Sequence, residues 1–210
     1  MQNNKSFVNS KRFRITATAL ALLFIAAGSL MLYRQHHNSS KQFFGTVSAK
    51  PDAYHLNPSH PVKISIPALK LKDIQIVDID LNPDKTLGVP QRFDQVGWYK
   101  QSPTPGELGP SVIVGHLDSA SSSAVFWNLK KLKQGDKIQV TREDGSVAEF
   151  QVDAMRSVPQ DNFPTQDVYG SIDYAGLRLI TCDGKWLPKE GHYSNNLVVF
   201  ASLVKPMEQK

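Results

Sequence analysis

From Val62 onward, the chain is a series of short apolar segments separated by turn residues, and this pattern limits the folds open to it. Seven segments have the alternating or continuous apolar character of strands, and long helical periodicity is absent. They are VKISI, DIQIVDI, SVIVG, KIQVT, VAEFQVDAM, LRLIT and NLVVFASLV. Because most of them follow one another without room for a helix, we predict an all-β fold, a barrel of seven to eight strands with short helices.

Local signals add detail to this barrel. Asp144-Gly145 separates two alternating runs, which predicts a β-hairpin. Short helices are expected at 123–131 and 163–169. Trp98 and Trp127 are expected to pack in or against the barrel.

An uncharged apolar run, ITATALALLFIAAGSLMLY, occupies residues 15–33. At a rise of about 1.5 Å per residue, a helix of this length just crosses a bilayer core of roughly 30 Å. Four cationic residues precede the run, so the positive-inside rule places the N-terminus in the cytoplasm and the rest of the chain outside. A cleaved signal peptide is the alternative, but the bulky residues at the end of the run favour a retained single-pass anchor.

These features divide the chain into five parts. We expect a basic cytoplasmic tail at 1–14, the anchor at 15–33, an extracytoplasmic tether at 34–61, the β-barrel at 62–205 and a short tail at 206–210. The tether is polar, has no sustained period and contains three prolines, Pro51, Pro58 and Pro61. The spacing of its histidines matches no metal-site motif, so we predict no metal there.

The basic character of the chain comes largely from its N-terminus. The formal net charge is +5, and four lysines and arginines lie before the apolar run, so the remainder carries about +1. A nucleic-acid surface needs Lys and Arg gathered on one face, and here they are scattered. Nucleic acid is therefore not an expected partner.

Cys182 is the only cysteine, which excludes an internal disulfide and a multi-cysteine metal site. The segment LRLIT leads directly into Cys182, and SVIVG leads directly into His116. Side chains at strand ends lie at the rim of a scaffold, and a thiol and an imidazole can act together as nucleophile and base. A buried structural cysteine and a surface histidine are the alternatives, because the residues alone do not show that the two meet.

Two motifs, GHLD at 115–118 and LITC at 179–182, resemble the catalytic signatures of the sortase family. The similarity extends over residues 62–205 and includes VGWYKQSPTPGELGPSVIVGHLDS, AVFWNLKKLKQGD, FPTQDVYG and NNLVVFASL in the order typical of class F-like sortases. The chain is therefore identified as similar to cysteine transpeptidases with a sortase-like barrel.

This resemblance implies an enzyme that lies on the outer face of the cell membrane and cleaves a Leu-Pro-x-Thr-Gly-like sorting signal. Cys182 would form an acyl thioester, and His116 would transfer protons. The implied partners are surface proteins with a C-terminal sorting signal and an amine acceptor from a cell-wall precursor or a pilin. No metal or organic cofactor is implied.

The sequence departs from the family at the arginine expected on the strand after the cysteine. That position falls at Ser194 or Asn196, and no arginine follows Arg178. Three explanations are open: an amide of Asn195 or Asn196 replaces the arginine, an arginine reaches the site from elsewhere, or catalysis has been lost. The possible distant donors are Arg92, Arg156 and Arg178.

Two further residues have open roles. Trp186 follows the cysteine in an expected loop and is a possible substrate contact, while Asp118 either orients His116 or forms a turn. The alternative functions are a catalytically impaired, membrane-anchored peptide-binding barrel and a cysteine hydrolase that uses water as acceptor.

Overall fold

The computed structural model of the chain describes residues 53–206, in which eight strands form a closed barrel. The strands are β1 Pro61–Ile66, β2 Leu71–Ile79, β3 Val96–Tyr99, β4 Gly109–Gly115, β5 Lys137–Arg142, β6 Val147–Pro159, β7 Ala175–Leu187 and β8 His192–Leu203. Around the barrel the order is β1-β2-β3-β4-β7-β8-β6-β5, and β5 pairs with β1 to close it. The predicted all-β barrel is confirmed.

Each predicted strand segment coincides with an observed strand, although the last segment runs one residue past the end of β8. The Asp144-Gly145 hairpin joins β5 to β6 through the pair Thr141 and Val147. Gly145 has a φ of 82°, the left-handed conformation that glycine adopts without steric cost. Strand β3 was not predicted as a strand. It has only four residues and pairs in parallel with β2 on one side and antiparallel with β4 on the other.

The helical segments are short. Helix α1 spans Thr165–Tyr169, which confirms the helix expected near 163–169. In the other expected segment, 123–131, only Leu129–Lys131 is helical, as a 3₁₀ turn. The first half does not form a helix because it bonds back to the loop after β4: the Phe126 N–H donates to the His116 carbonyl. Two more 3₁₀ turns lie at Pro67–Leu69 and Gln160–Asn162.

Alternating side chains of the strands supply two apolar clusters. The larger cluster contains residues from all eight strands and fills the barrel interior; on β7 it includes Leu177 and Leu179. The smaller cluster lies on the opposite face of β4, β7 and β8 and packs against Val168 of α1; on β7 it includes Ile180. Because successive strand residues point to opposite faces, Cys182 falls on the same face as Ile180, under α1.

The last part of the expected tether contacts the barrel. The Leu56 N–H donates to the Gly106 carbonyl at 2.8 Å, and the Leu56 side chain packs against the interior cluster. Among residues 53–206 no helix is long and apolar enough to span a bilayer. The apolar run at 15–33 lies outside the described residues.

Replacing Gly115 by alanine is expected to destabilise the barrel at the end of β4. The added Cβ would lie 2.5 Å from the ring of Phe126, which is fully buried. Overpacking of this kind costs about 1–3 kcal/mol of unfolding free energy. Urea denaturation measures it, and Gly191→Ala is the control, because that position is open and only its positive φ opposes a side chain. Equal stability of Gly115→Ala and wild type would contradict the predicted clash.

Candidate active site

Parallel pairing of β4 with β7 brings His116 and Cys182 to the same end of the barrel. The last aligned pair is Val114 with Ile180, so His116 follows the end of β4 at the level where β7 reaches Cys182. Cys182 itself is not at a strand end, contrary to expectation. Strand β7 continues to Leu187 because β8 still pairs with it, and Cys182 lies opposite Asn196.

A pocket of about 540 Å³ contains both side chains. Its polar lining includes His116, Cys182, Asn196 and Gln160. Its apolar lining comes from Leu87, Val89, Val114, Phe163, Tyr169 and Ile180. The pocket therefore combines a thiol, an imidazole and amide groups with an apolar wall, and a few polar groups in an apolar lining are typical of ligand-binding sites.

The ring of His116 is held on one side by a backbone carbonyl. Its Nε2 lies 2.8 Å from the Pro90 carbonyl oxygen, and its ring centroid lies 4.6 Å from that of Phe93. Because a carbonyl only accepts hydrogen bonds, Nε2 carries the proton in this contact and Nδ1 is left as the acceptor of the neutral ring. Asp118 does not orient His116; its carboxylate accepts a hydrogen bond from the Tyr193 hydroxyl.

The thiol of Cys182 is harder to ionise than a free cysteine. Burial raises its pKa, and the negative charge of Asp118 raises the pKa further. The thiol is therefore mainly protonated near neutral pH. The nucleophilic thiolate must be formed by proton transfer to a base, and His116 is the imidazole in the same pocket.

Alkylation of Cys182 by iodoacetamide should reflect this raised pKa. The thiolate is the reactive form, so the rate should keep rising with pH beyond the point where a free thiol levels off. Removing the carboxylate charge with Asp118→Asn should move the midpoint to lower pH. The pH profile of alkylation, followed by intact mass, measures both, and a midpoint below that of free cysteine would contradict the structure.

Of the two positions at which the arginine is expected, Ser194 and Asn196, only Asn196 lines the pocket. Its Oδ1 accepts a hydrogen bond from Gln160 Nε2 at 3.4 Å, so its Nδ2 hydrogens are available for another acceptor. Asn195 and Ser194 do not line the pocket. Asn195 donates to Ser157 at 3.1 Å, and Ser194 donates to Asn195 and accepts from the Lys185 N–H.

The three arginines considered as substitutes lie elsewhere. Arg92 pairs with Asp94, and Arg156 pairs with Asp167, both at the surface. Arg178 is buried, with its guanidinium 4.8 Å from the Phe200 ring centroid and bonded to Tyr174. Within residues 53–206, no arginine lines the pocket.

The tryptophans differ in their environments. Trp98 is 5% exposed, as expected for a core residue, but Trp127 is 43% exposed and does not belong to the core. Trp186 lies in strand β7 rather than in a loop, and its ring packs on that of Tyr193 with centroids 5.3 Å apart. It is outside the pocket lining.

Several pocket residues were not anticipated. Gln160, Phe163 and Tyr169 come from the segment between β6 and β7, and Leu87 and Val89 come from the loop between β2 and β3. These are ordinary residue types in connecting segments. These residues lie beside His116 and Cys182 only because of the order of the strands around the barrel. Their local sequence does not indicate that they line the pocket.

A closed barrel with a cysteine and an imidazole in one rim pocket has the parts of a covalent acyl-transfer site. The Sortase domain family model matches residues 64–204, and the chain belongs to the sortase family.

Solved structures show the same fold. Sortase A from Corynebacterium diphtheriae has 23% identity and a TM-score of 0.54, with 73% of this chain and 65% of that chain covered. Sortase C1 from Streptococcus agalactiae has 25% identity and a TM-score of 0.52, with 69% and 67% covered. The chain thus spans slightly less than two thirds of the Corynebacterium protein. No curated protein sequence matches significantly.

Proposed function

We propose that the chain is a membrane-anchored cysteine transpeptidase that cleaves a Leu-Pro-x-Thr-Gly-like sorting signal and transfers the protein to a cell-surface amine. The observation that carries this proposal is the presence of Cys182 and His116 in one pocket of a sortase-family barrel. Assignment to a class F-like group rests on the ordered motifs alone.

The first half-reaction begins with transfer of the Cys182 proton to His116 Nδ1, the nitrogen that Pro90 leaves free. The thiolate attacks the carbonyl carbon of the signal threonine, and the oxyanion accepts a hydrogen bond from Asn196 Nδ2. When the C–N bond breaks, the imidazolium gives its proton to the leaving amine. A thioester on Cys182 and a neutral His116 remain.

The second half-reaction transfers the acyl group from sulfur to an amine of a cell-wall precursor or a pilin. With the proposed anchor at 15–33, the positive-inside rule predicts that the barrel lies on the outer face of the membrane, and the proposed acceptor amines and signal-bearing proteins are substrates on that same face. Water in place of the amine would give hydrolysis.

The test is to incubate the full-length protein in detergent with Leu-Pro-x-Thr-Gly peptides that vary in the third residue. Intact mass should show an adduct equal to the peptide up to threonine, and adding an amine should convert it to a ligated product. Adduct formation with release of the free acid alone would identify a hydrolase. No adduct with any peptide would contradict the proposal.

A peptide-binding barrel without catalysis is the second candidate. The absence of an arginine from the pocket lining in the described part of the chain favours it. Calorimetric binding of the same peptides, without an adduct and without alkylation of Cys182, would support this candidate.

A further inference from the structure

We propose that Asp118, Tyr193 and Trp186 form the binding site for the ammonium group of the acceptor amine. This inference rests on the proposed transpeptidase function and assigns the second substrate a place on the barrel. It concerns the chemical class of the acceptor, a primary amine that is protonated in solution.

The three side chains are contiguous. The Tyr193 hydroxyl donates to Asp118 Oδ2, which joins β8 to the loop after β4. Tyr193 is the register partner of Trp186 on β7, and the two rings pack edge to face. A carboxylate and two aromatic rings therefore lie together at the rim.

This combination is suited to a small cation. Asp118 is half-buried, and no lysine, arginine or histidine pairs with it among the described residues. The Tyr193 bond occupies one carboxylate oxygen and leaves Oδ1 to accept another donor. Tryptophan and tyrosine faces attract ammonium groups, and a charge-assisted bond to a carboxylate adds to this attraction.

The site adjoins the pocket without forming part of it: Asp118 lies two residues after His116, and the Trp186–Tyr193 pair continues the β7–β8 ladder beyond the pair of Cys182 with Asn196. The charge of Asp118 raises the pKa of Cys182. The pKa of Tyr193 is raised to about 12, chiefly by its hydrogen bond to Asp118, with a smaller contribution from the charge on Cys182. None of the three residues lines the pocket that holds His116 and Asn196. The donor peptide in the pocket thus leaves this rim open to a second substrate.

Aminolysis at this site removes two of the three protons of the bound ammonium group. The ammonium bound at Asp118 gives one proton to the neutral His116, and the freed amine attacks the thioester carbonyl. A C–N bond forms, the C–S bond breaks, and the second amine proton passes to Cys182 Sγ. The amide product leaves, and His116 returns its proton to solvent.

The experiment measures how the acyl-enzyme partitions between an amine and water. Full-length wild type and Asp118→Asn are given the same Leu-Pro-x-Thr-Gly peptide with either Nα-acetyl-lysine amide, a cation, or hydroxylamine, which is neutral at pH 7. Mass spectrometry gives the ratio of aminolysis to hydrolysis product. This ratio does not depend on the rate of acylation, so changes in Cys182 reactivity cancel.

Asp118→Asn should lower the ratio for the lysine amide by about five- to tenfold and leave that for hydroxylamine within about twofold. Trp186→Ala should also lower the ratio of aminolysis to hydrolysis for the lysine amide more than for hydroxylamine. Asp183→Asn is the matched control, because Asp183 adjoins Cys182 and is half-buried but has no bond to Tyr193. Unchanged ratios, or equal losses for both nucleophiles, would overturn the ammonium site alone. Absence of the acyl-enzyme in wild type would instead overturn the proposed function.

Discussion

Replacing Cys182 by alanine should abolish acylation by a sorting-signal peptide and lower turnover by at least about four powers of ten. Cys182 is the only thiol in the chain. Four hydroxyl-bearing residues, Thr86, Thr165, Tyr169 and Thr181, also line the pocket, but a hydroxyl is less acidic than a thiol and His116 does not ionise it readily. Intact mass after incubation with peptide measures the adduct, and product chromatography measures turnover.

Alanine at this position should preserve the fold, because it removes one sulfur from a half-buried site. Thermal unfolding of wild type and variant should therefore agree within a few degrees, which separates loss of chemistry from loss of structure. Cys182→Ser keeps the shape and should be equally inactive. A peptide adduct on either variant would show that another group is the nucleophile.

Replacing Asn196 by alanine should lower kcat by about two to three powers of ten and leave KM within about threefold. The reason is that an amide donor to an oxyanion acts mainly in the transition state, where the negative charge develops. Asn196 lines the pocket and lies opposite Cys182 in the β7–β8 register. Steady-state kinetics over a range of peptide concentrations separates the two constants.

Asn195→Ala is the matched control for this prediction. It removes the same side chain from the adjacent position, where the amide bonds to Ser157 outside the pocket. Asn196→Asp is a sharper test, because the carboxylate can still accept from Gln160 but no longer has an Nδ2 donor. If Asn196→Asp or Asn196→Ala keeps wild-type kcat, the Asn196 amide does not stabilise the oxyanion.

The fold was largely predictable because its strands carry their own signal. Alternation in KIQVT and VAEFQVDAM, with Asp144-Gly145 between them, located a hairpin that the structure contains. Strand β3 was not predicted because it has only four residues, VGWY, too few to show an alternation of apolar and polar side chains. One of them is Gly97, which has no side chain and packs against Ile79. The extension of β7 through DGKWL was missed for a similar reason: its polar residues form a strand because β8 pairs with them.

The site was only partly predictable. Cys182 and His116 were identified by their positions after apolar segments and by the resemblance to sortases. The contacts that define their environment could not be read from one sequence, because each joins distant segments. The Pro90 carbonyl reaches His116, Gln160 reaches Asn196, and Tyr193 reaches Asp118 only through the closed barrel.

Parallel pairing of β4 with β7 also determines when the proposed active site assembles as the chain folds. Strands β5 and β6 lie between these neighbours in sequence, so the pairing closes a long loop and requires contacts of high sequence separation. Such pairings form slowly compared with local hairpins. The β5–β6 hairpin can therefore form early, while His116 and Cys182 meet only at a late step. Recovery of peptide acylation during refolding should accordingly lag behind the first appearance of β-structure.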